Sequence, residues 1–361
     1  RPGGMLVQTI PAYRLPRETL AREIRMIEQL GVDIITEKRL GVDFTLEQLK
    51  GEGYEAVFLS PGAPECMGLG IVGEDAKGVV LAGQFLKQYN IRGSVPVGKK
   101  VVVIGGGNAA IDAARTALRL GSEVTVVYRR TQEQMPAYAE EIEEALIEGV
   151  ELRTLTQPVE VLKTTDDKVR GLKCVQMKLG EFDRSGRRRA TESKEDVFVL
   201  EADQIIVAIG QRLEAKKLLD GQNVAIGNDG FIKVDPVTCR TSQEWIFAGG
   251  DAASGPASVV TAVGMGEKAA VGIDLYLTGE EHAFWREDKV VDTDHDPDAD
   301  PVPYPRERLQ TIDVERRRNN FDEVELPWVE SVAVRQCKRC LRCDYGKTPQ
   351  KAAENKEAAH A

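Results

Sequence analysis

The stretch VVVIGGGNAAIDAARTALRLGSEVTVVYRRT, residues 101–131, decides the fold. A β-branched run gives way to three glycines, then to alanine-rich sequence with helical spacing, then to a second β-branched run after Gly121. Strand, tight turn, helix and strand within about 30 residues are the dimensions of a βαβ unit. Gly105, Gly107 and Ala110 match G-x-G-x-x-G/A directly after the first strand. Gly105 permits the tight turn, Gly107 lets the backbone approach a pyrophosphate, and Ala110 keeps helix and strand close. Asn108 and Ala109 open the helix, whose N-terminus offers partial positive charge to phosphates. A glycine turn without a ligand is the alternative, and the two flanking strands weigh against it.

The end of the second strand bears on which nicotinamide is held. An NAD site places Asp or Glu there to bond the ribose 2′-hydroxyl. Arg129 and Arg130 stand in that place instead, and guanidinium groups suit a 2′-phosphate through charge and forked hydrogen bonds. The expectation is NADP(H), with Gly210, at the end of ADQIIVAIG, assigned to the same site. The alternative for one of the two arginines is a solvated surface charge.

Outward from this unit, the 361 residues suffice for two domains, and 42 % hydrophobic with 29 % charged residues describe a globular protein. A net charge of −10 argues against nucleic acid as the main partner. No apolar run approaches the roughly 20 residues of a membrane span. Six cysteines, of which Cys66, Cys174 and Cys239 are scattered, do not make a disulfide framework and point to a reduced, cytoplasmic setting. No signal peptide is recognisable. The chain opens Arg-Pro-Gly-Gly and reads as a segment of something longer.

Residues 17–32 carry Leu20, Ile24, Ile27 and Leu30 at helical spacing, and VDIITEK after them reads as a short strand. YEAVFLSPGA (54–63) reads as a buried strand entering a Pro-Gly turn, and 76–91 as a helix. Ala137–Gly149 is an acidic helix, 150–210 a series of short strands with charged turns, and 259–277 a helix with small residues on one side. Residues 281–330, rich in Asp, Glu, Arg and Pro, read as an extended arm, and 348–361 as a tail.

IFAGGDAASGPASVVTAVGMGEKAA (246–270) suggests a second nucleotide. A buried strand delivers Asp251 after Gly249 and Gly250, placed to bond a ribityl hydroxyl. The helix that starts near Ser258, with Val259 and Ala262 in its first turns, turns its N-terminus toward a flavin pyrimidine ring. The alternative is a βα turn with a capping Asp.

Five blocks, PGGMLVQTIPAYRLP (2–16), YEAVFLSPGA, GGGNAAIDAARTALRLGSEVTVVYRRTQEQMPA (105–137), ADQIIVAIGQ (202–211) and the 246–270 segment, occur in the order of a known family. Over residues 2–280 the chain resembles the NADPH-dependent FAD oxidoreductases typified by the small (beta) subunit of bacterial glutamate synthase. The resemblance implies an α/β flavoprotein of two dinucleotide-binding domains, with a Rossmann-like NAD(P)H domain inserted in an FAD domain. The expected bounds are 1–96 and 239–280 for the FAD domain, 97–238 for the NAD(P)H domain, and 281–361 for an irregular C-terminal arm. The resemblance places Gly3, Gly4, Met5, Leu6, Pro11 and Arg14 by the isoalloxazine ring. Gly250, Asp251 and the Ser258 helix close the other side, and Gly62 and Ala63 mark the passage into the inserted domain. The family's first strand–GxGxxG–helix unit, which holds the ADP part of FAD, is absent from this sequence and is expected on a missing N-terminal piece.

QCKRCLRCDYGK (336–347) sets Cys337, Cys340 and Cys343 at three-residue intervals. C-x₂-C-x₂-C is an iron–sulfur spacing, and a 4Fe–4S cluster with a distant fourth ligand is the first expectation. A structural zinc site and free surface thiols are the alternatives. Hydride transfer between nicotinamide and flavin needs orientation more than a side-chain acid or base, so no catalytic residue is assigned. The three histidines, His282, His295 and His360, lie in the polar C-terminal third. Thioredoxin-reductase-like chemistry would need a CxxC pair beside the flavin, which Cys174 and Cys239 do not make. Cys66, near the domain crossing, reads as a flavin neighbour or a buried structural thiol. The expectation is an oxidoreductase subunit with FAD, NADP(H) and iron–sulfur partners. A glutamate synthase small subunit proper and a scaffold with vestigial nucleotide sites are its rivals.

Overall fold

The structure is a computed structural model that describes residues 2–182, 188–283 and 306–337. Its centre is a parallel sheet in which Val79–Leu81, Gln204–Val207, Lys100–Ile104, Glu123–Val127 and Glu151–Arg153 lie side by side in that order. The middle strands are continuous Val and Ile runs because both faces of a parallel sheet are covered. Val101, Val103, Val124, Val126 and Ile206 face one way, into a core with Phe85, Leu86, Ala110, Ala114 and Ile142. Those residues come from the helices Ala82–Arg92, Asn108–Arg119 and Ala139–Glu148. The alternate residues Val102, Ile104, Ile205 and Val207 face the other way, against Val161, Leu172 and Cys174 of an antiparallel sheet. That sheet joins Thr156–Lys163, Val169–Phe182 and Arg188–Glu201.

A second core lies outside this sandwich. Val57–Leu59 pairs in parallel with Ile246–Ala248, and Leu46, Leu59, Leu213, Leu219, Ile232, Ile246 and Ala252 pack around the pair. The long helix Val259–Thr278 starts on a Ser258 cap, whose Oγ accepts from the Thr261 N–H. The chain enters and leaves the five-stranded sheet along one short ribbon, Glu65–Cys66 against Gln211–Arg212.

Four stretches differ from the sequence reading. Residues 33–38 form no strand: Ile34 and Ile35 are exposed, and no described strand lies beside them. In 76–91 the strand Val79–Leu81 precedes the helix, because three β-branched and apolar residues pair with Ile205–Val207 before the helical pattern begins. Two of the strands in 150–210 run for 14 residues rather than being short. Within the stretch expected to be extended, Asp313–Glu323 instead packs with the residues up to Glu281, while the described parts of 282–312 and 324–337 group separately. In that separate group Gln310–Thr311 pairs with Glu325–Leu326, and a helix spans Glu330–Cys337. Among the described residues no helix is long and apolar enough to cross a membrane.

Candidate functional site

The glycine turn sits at the C-terminal end of the sheet's central strand, the end at which open α/β sheets take their ligands. Ala208 N–H bonds Ile104 O at 2.8 Å, so the turns after Lys100–Ile104 and Gln204–Val207 share one edge. Gly105 has φ +143°, and a Cβ there would lie 2.2 Å from Ala208 O. A Cβ on Gly106 would stand 2.6 Å from the Tyr128 ring, so this glycine is constrained as Gly105 is. Gly107 is the opposite case. Its φ of −91° and ψ of 172° suit any residue, and the nearest atom to a Cβ there is Pro136 Cγ at 4.0 Å. The missing side chain leaves room on the outside of the turn, where a phosphate could approach the backbone. Ala110 is fully buried under the helix, and Ala109 is exposed.

The loop after Arg130 folds back over the turn. Ala137 N–H bonds Gly106 O at 3.0 Å, and Tyr138 N–H bonds Asn108 Oδ1 at 3.1 Å. Tyr128 sends its hydroxyl to Gln134 O at 2.9 Å and backs the turn with its ring. Arg129 is exposed, and Arg130 is half-buried with its carbonyl accepting from Leu155 N–H at 2.9 Å. Gly106 and Tyr128 escaped the sequence reading; the third glycine of GGG and the aromatic residue that ends the strand were the available signals. Gly210 lies at the crossing ribbon, its carbonyl accepting from Met67 N–H at 3.0 Å.

The second turn is built on the parallel pair. Gly249 N–H bonds Leu59 O at 3.1 Å, which sets Gly249–Asp251 beside the segment that continues to Gly62 and Ala63. Gly250 has φ +62° and ψ −154°, a conformation that favours glycine, and a Cβ on it would lie 3.5 Å from that of Ala262. Gly62 is half-buried with φ +72°, and Ala63 is buried. Asp251 Oδ1 accepts from Ala257 N–H at 3.1 Å, and burial raises its carboxyl above the usual range despite that bond. Val259, at the start of the long helix, is 48 % exposed, so this helix end has an apolar open side.

The N-terminal residues have different partners. Gly3, with φ +99°, starts the short helix Gly4–Gln8, where Met5 is exposed. Arg17 donates to Leu6 O at 2.7 Å and Ile10 O at 2.6 Å, and Pro11 is buried. Arg14 turns its guanidinium onto the glycine-turn helix, bonding Asp112 at 2.9 and 3.0 Å, and pairs with Glu141 at 2.9 Å. Cys337 ends its helix exposed, while Cys340 and Cys343 lie outside the described residues. Among the described residues no group of His, Cys, Asp and Glu is arranged to hold a metal. Burial pushes the Cys174 thiol up to about 12, and Cys66 and Cys174 are free thiols, while Cys239 Sγ donates to Met265 O at 3.5 Å.

Comparison with known proteins agrees with this geometry. Residues 3–266 match the pyridine nucleotide-disulphide oxidoreductase family, and the chain belongs to it. It is 41 % identical to the NADP(+)-dependent formate dehydrogenase subunit beta of Moorella thermoacetica, over 94 % of this chain and 49 % of that one. It is 38 % identical to the NADPH-Fe(3+) oxidoreductase subunit beta of Geobacter sulfurreducens, over 94 % and 56 %. The glutamate synthase [NADPH] small chain of Escherichia coli is 37 % identical, over 76 % and 61 %. The chain thus spans about half the length of the first two of these relatives. Among solved structures, Mycobacterium tuberculosis FprA in complex with NADPH superposes with a TM-score of 0.61 at 19 % identity, covering 76 % of this chain and 75 % of that one. Thioredoxin reductase of T. acidophilum superposes with a TM-score of 0.55 at 21 % identity, covering 77 % and 87 %. These two matches establish the fold.

Proposed function

We propose that this chain is the nicotinamide- and flavin-binding part of an oxidoreductase subunit that exchanges electrons between NADPH and iron–sulfur carriers of a larger complex. The observation that carries the reading is the glycine turn at the ligand edge of the five-stranded sheet, open beside Gly107, with Arg129 and Arg130 where an NAD site needs a carboxylate. In this reading the amides at Gly107, Asn108 and Ala109 hold the pyrophosphate, and the two arginines take the 2′-phosphate. Gly210 and Met67 sit at the ribbon where the nicotinamide half is inserted.

The second turn is assigned to FAD. Asp251 bonds the ribityl chain, the Ser258–Ala262 helix end faces the ring, and Gly250 allows the approach. Gly3–Leu6 and Pro11 line the ring from the N-terminal side, and Gly62 and Ala63 border it. A bound FAD would supply the hydride-accepting and one-electron chemistry, and this chain's residues would bind and orient it rather than supply protons. Cys337, Cys340 and Cys343 are assigned to an iron–sulfur cluster that needs one further ligand. The relatives, each named as an NADP- or NADPH-linked enzyme subunit or chain, support the reading.

The test uses the natural polypeptide that contains this sequence, purified without oxygen. A flavin absorbance bleached by NADPH, with iron and acid-labile sulfide present, supports the reading. A colourless protein that binds no NADPH, or one that carries zinc in place of iron and sulfide, contradicts the corresponding part.

A further inference from the structure

The outer face of the glycine-turn helix carries a buried ionic cluster that neither nucleotide site uses. Arg115 and Arg119 lie one turn apart on that helix and both grip Glu148 of the acidic helix Ala139–Glu148. Arg115 bonds the two carboxylate oxygens at 2.7 and 3.1 Å, and Arg119 bonds them at 2.6 and 2.9 Å. Arg115 also pairs with Glu141, and Arg14 bridges Glu141 to Asp112. The last cation comes from far along the chain. Arg317, 3 % exposed, pairs with Glu144 and reaches Glu148 at 3.2 Å. Four guanidinium groups (Arg14, Arg115, Arg119, Arg317) therefore face four carboxylates (Asp112, Glu141, Glu144, Glu148). Without Arg317 the group would hold three cations against four anions, an imbalance that is costly at such burial.

An aromatic stack runs beside the charges. The Tyr13 ring, 1 % exposed, lies under Arg119 at 4.0 Å and Arg115 at 4.8 Å. Phe321 stacks on Tyr89 at 4.3 Å and reaches Tyr13 at 6.0 Å. Asn90, next to Tyr89, donates to Gln8 O and Ile10 O. Asp313–Glu323 thus crosses over a junction of four pieces: the N-terminal segment, the end of helix Ala82–Arg92, the helix that leads from the glycine turn, and the acidic helix Ala139–Glu148.

We propose that Arg317 and Phe321 are positioning residues for nicotinamide–flavin geometry, with Asp313–Glu323 acting as a strap that clamps Tyr13 and Arg14 onto the glycine-turn helix. The inference rests on the two nucleotide assignments above. Tyr13 and Arg14 continue directly from Gly3–Leu6, on the flavin side, while Asp112 and Arg115 belong to the helix on the nicotinamide side. The strap touches neither cofactor site; it sets the register between the two halves. Hydride transfer is sensitive to displacements on the order of 1 Å, so a loosened clamp lowers the transfer rate more than it lowers nucleotide affinity.

The test compares Arg317→Ala, Phe321→Ala, Arg317→Lys and Arg318→Ala in the natural polypeptide. Arg318 is the control, with a side chain 60 % exposed and paired with Glu315. Amide hydrogen exchange in residues 10–15 should rise about tenfold in the two alanine variants. Flavin bleaching at saturating NADPH should slow about tenfold, with the Kd for NADPH within about twofold of wild type. Arg317→Lys, which keeps the charge, should recover most of both effects, and Arg318→Ala should change neither. Faster exchange confined to 313–323, or an unchanged bleaching rate alongside faster exchange in 10–15, would overturn the proposal. A wild-type protein that binds no NADPH would instead overturn the nucleotide assignment, and the exchange data would then judge the clamp by themselves.

Discussion

The two nucleotide turns rest on unequal foundations. The first ends the central strand of a five-stranded sheet that is covered by three helices on one face and an antiparallel sheet on the other. The second ends a two-stranded pair with Val259, Val260 and Val263 exposed on the neighbouring helix, and Ile34 and Ile35 exposed elsewhere in the same half. Both turns use glycine for a conformation or an approach that a side chain would block. The difference lies in how firmly the surroundings fix them. The first turn is packed at Gly105 and Gly106 and tolerates no added atom there; the second, with an open side, has room to shift.

The largest effect should therefore fall on the first turn. Gly105→Ala sets a Cβ 2.2 Å from Ala208 O, between two buried strands that cannot part. NADPH affinity should fall by at least about 100-fold (roughly 3 kcal/mol) in a binding titration, or the fold should be lost. Retained affinity would show that the sheet edge yields, and the contrast with the second turn would vanish.

A somewhat smaller effect concerns the ionic cluster. Burial alone would raise the Glu148 carboxyl, yet hydrogen bonds and charge from Arg115 and Arg119 bring it down to about 2, against an ordinary 4.5. A carboxyl depressed in the folded state stabilises the protein above its unfolded pKa and stops doing so as pH falls through the folded one. Stability should thus drop by on the order of 3 kcal/mol between pH 4.5 and 2 on account of this group. Glu148→Gln should lower the melting temperature at pH 7 and flatten that acid limb. An acid limb of unchanged steepness in the variant would remove Glu148 as its cause.

The smallest effect belongs to the second turn. Gly250→Ala forces a side chain into φ +62°, but the Cβ would meet only Ala262, at 3.5 Å. A cost of about 1–2 kcal/mol in thermal stability is expected, with weakened flavin retention as the companion readout. A loss as large as that at Gly105 would mean that the two halves are equally rigid.

What the sequence disclosed follows the same division. The glycine turn, its strands and its helix were legible because they are local: strand periodicity, glycine spacing and helix pattern all lie within one short stretch. The start of the long helix near Ser258 was legible for that reason too. The clamp was not. Arg14 meets Asp112 across 98 residues and Arg317 meets Glu148 across 169, separations over which charge pairing leaves no pattern to read. The composition of residues 281–330 suggested an extended arm, and the rule failed at Asp313–Glu323 because a complementary buried face was waiting for its arginine. The strand Val79–Leu81 was hidden in a helical window because three residues are too few to show a period. VDIITEK shows the reverse, an apolar run with strand propensity and no described strand to pair with.

The most direct test of the central claim is a pair of binding titrations on the wild-type natural polypeptide, NADP⁺ against NAD⁺. The Arg129 and Arg130 assignment predicts that NADP⁺ binds at least about tenfold tighter, with the advantage shrinking as salt is raised, because a 2′-phosphate held by guanidinium groups is a screened electrostatic contact. Equal affinities, or an NAD⁺ preference, would contradict the reading of the strand end on which the proposed function rests.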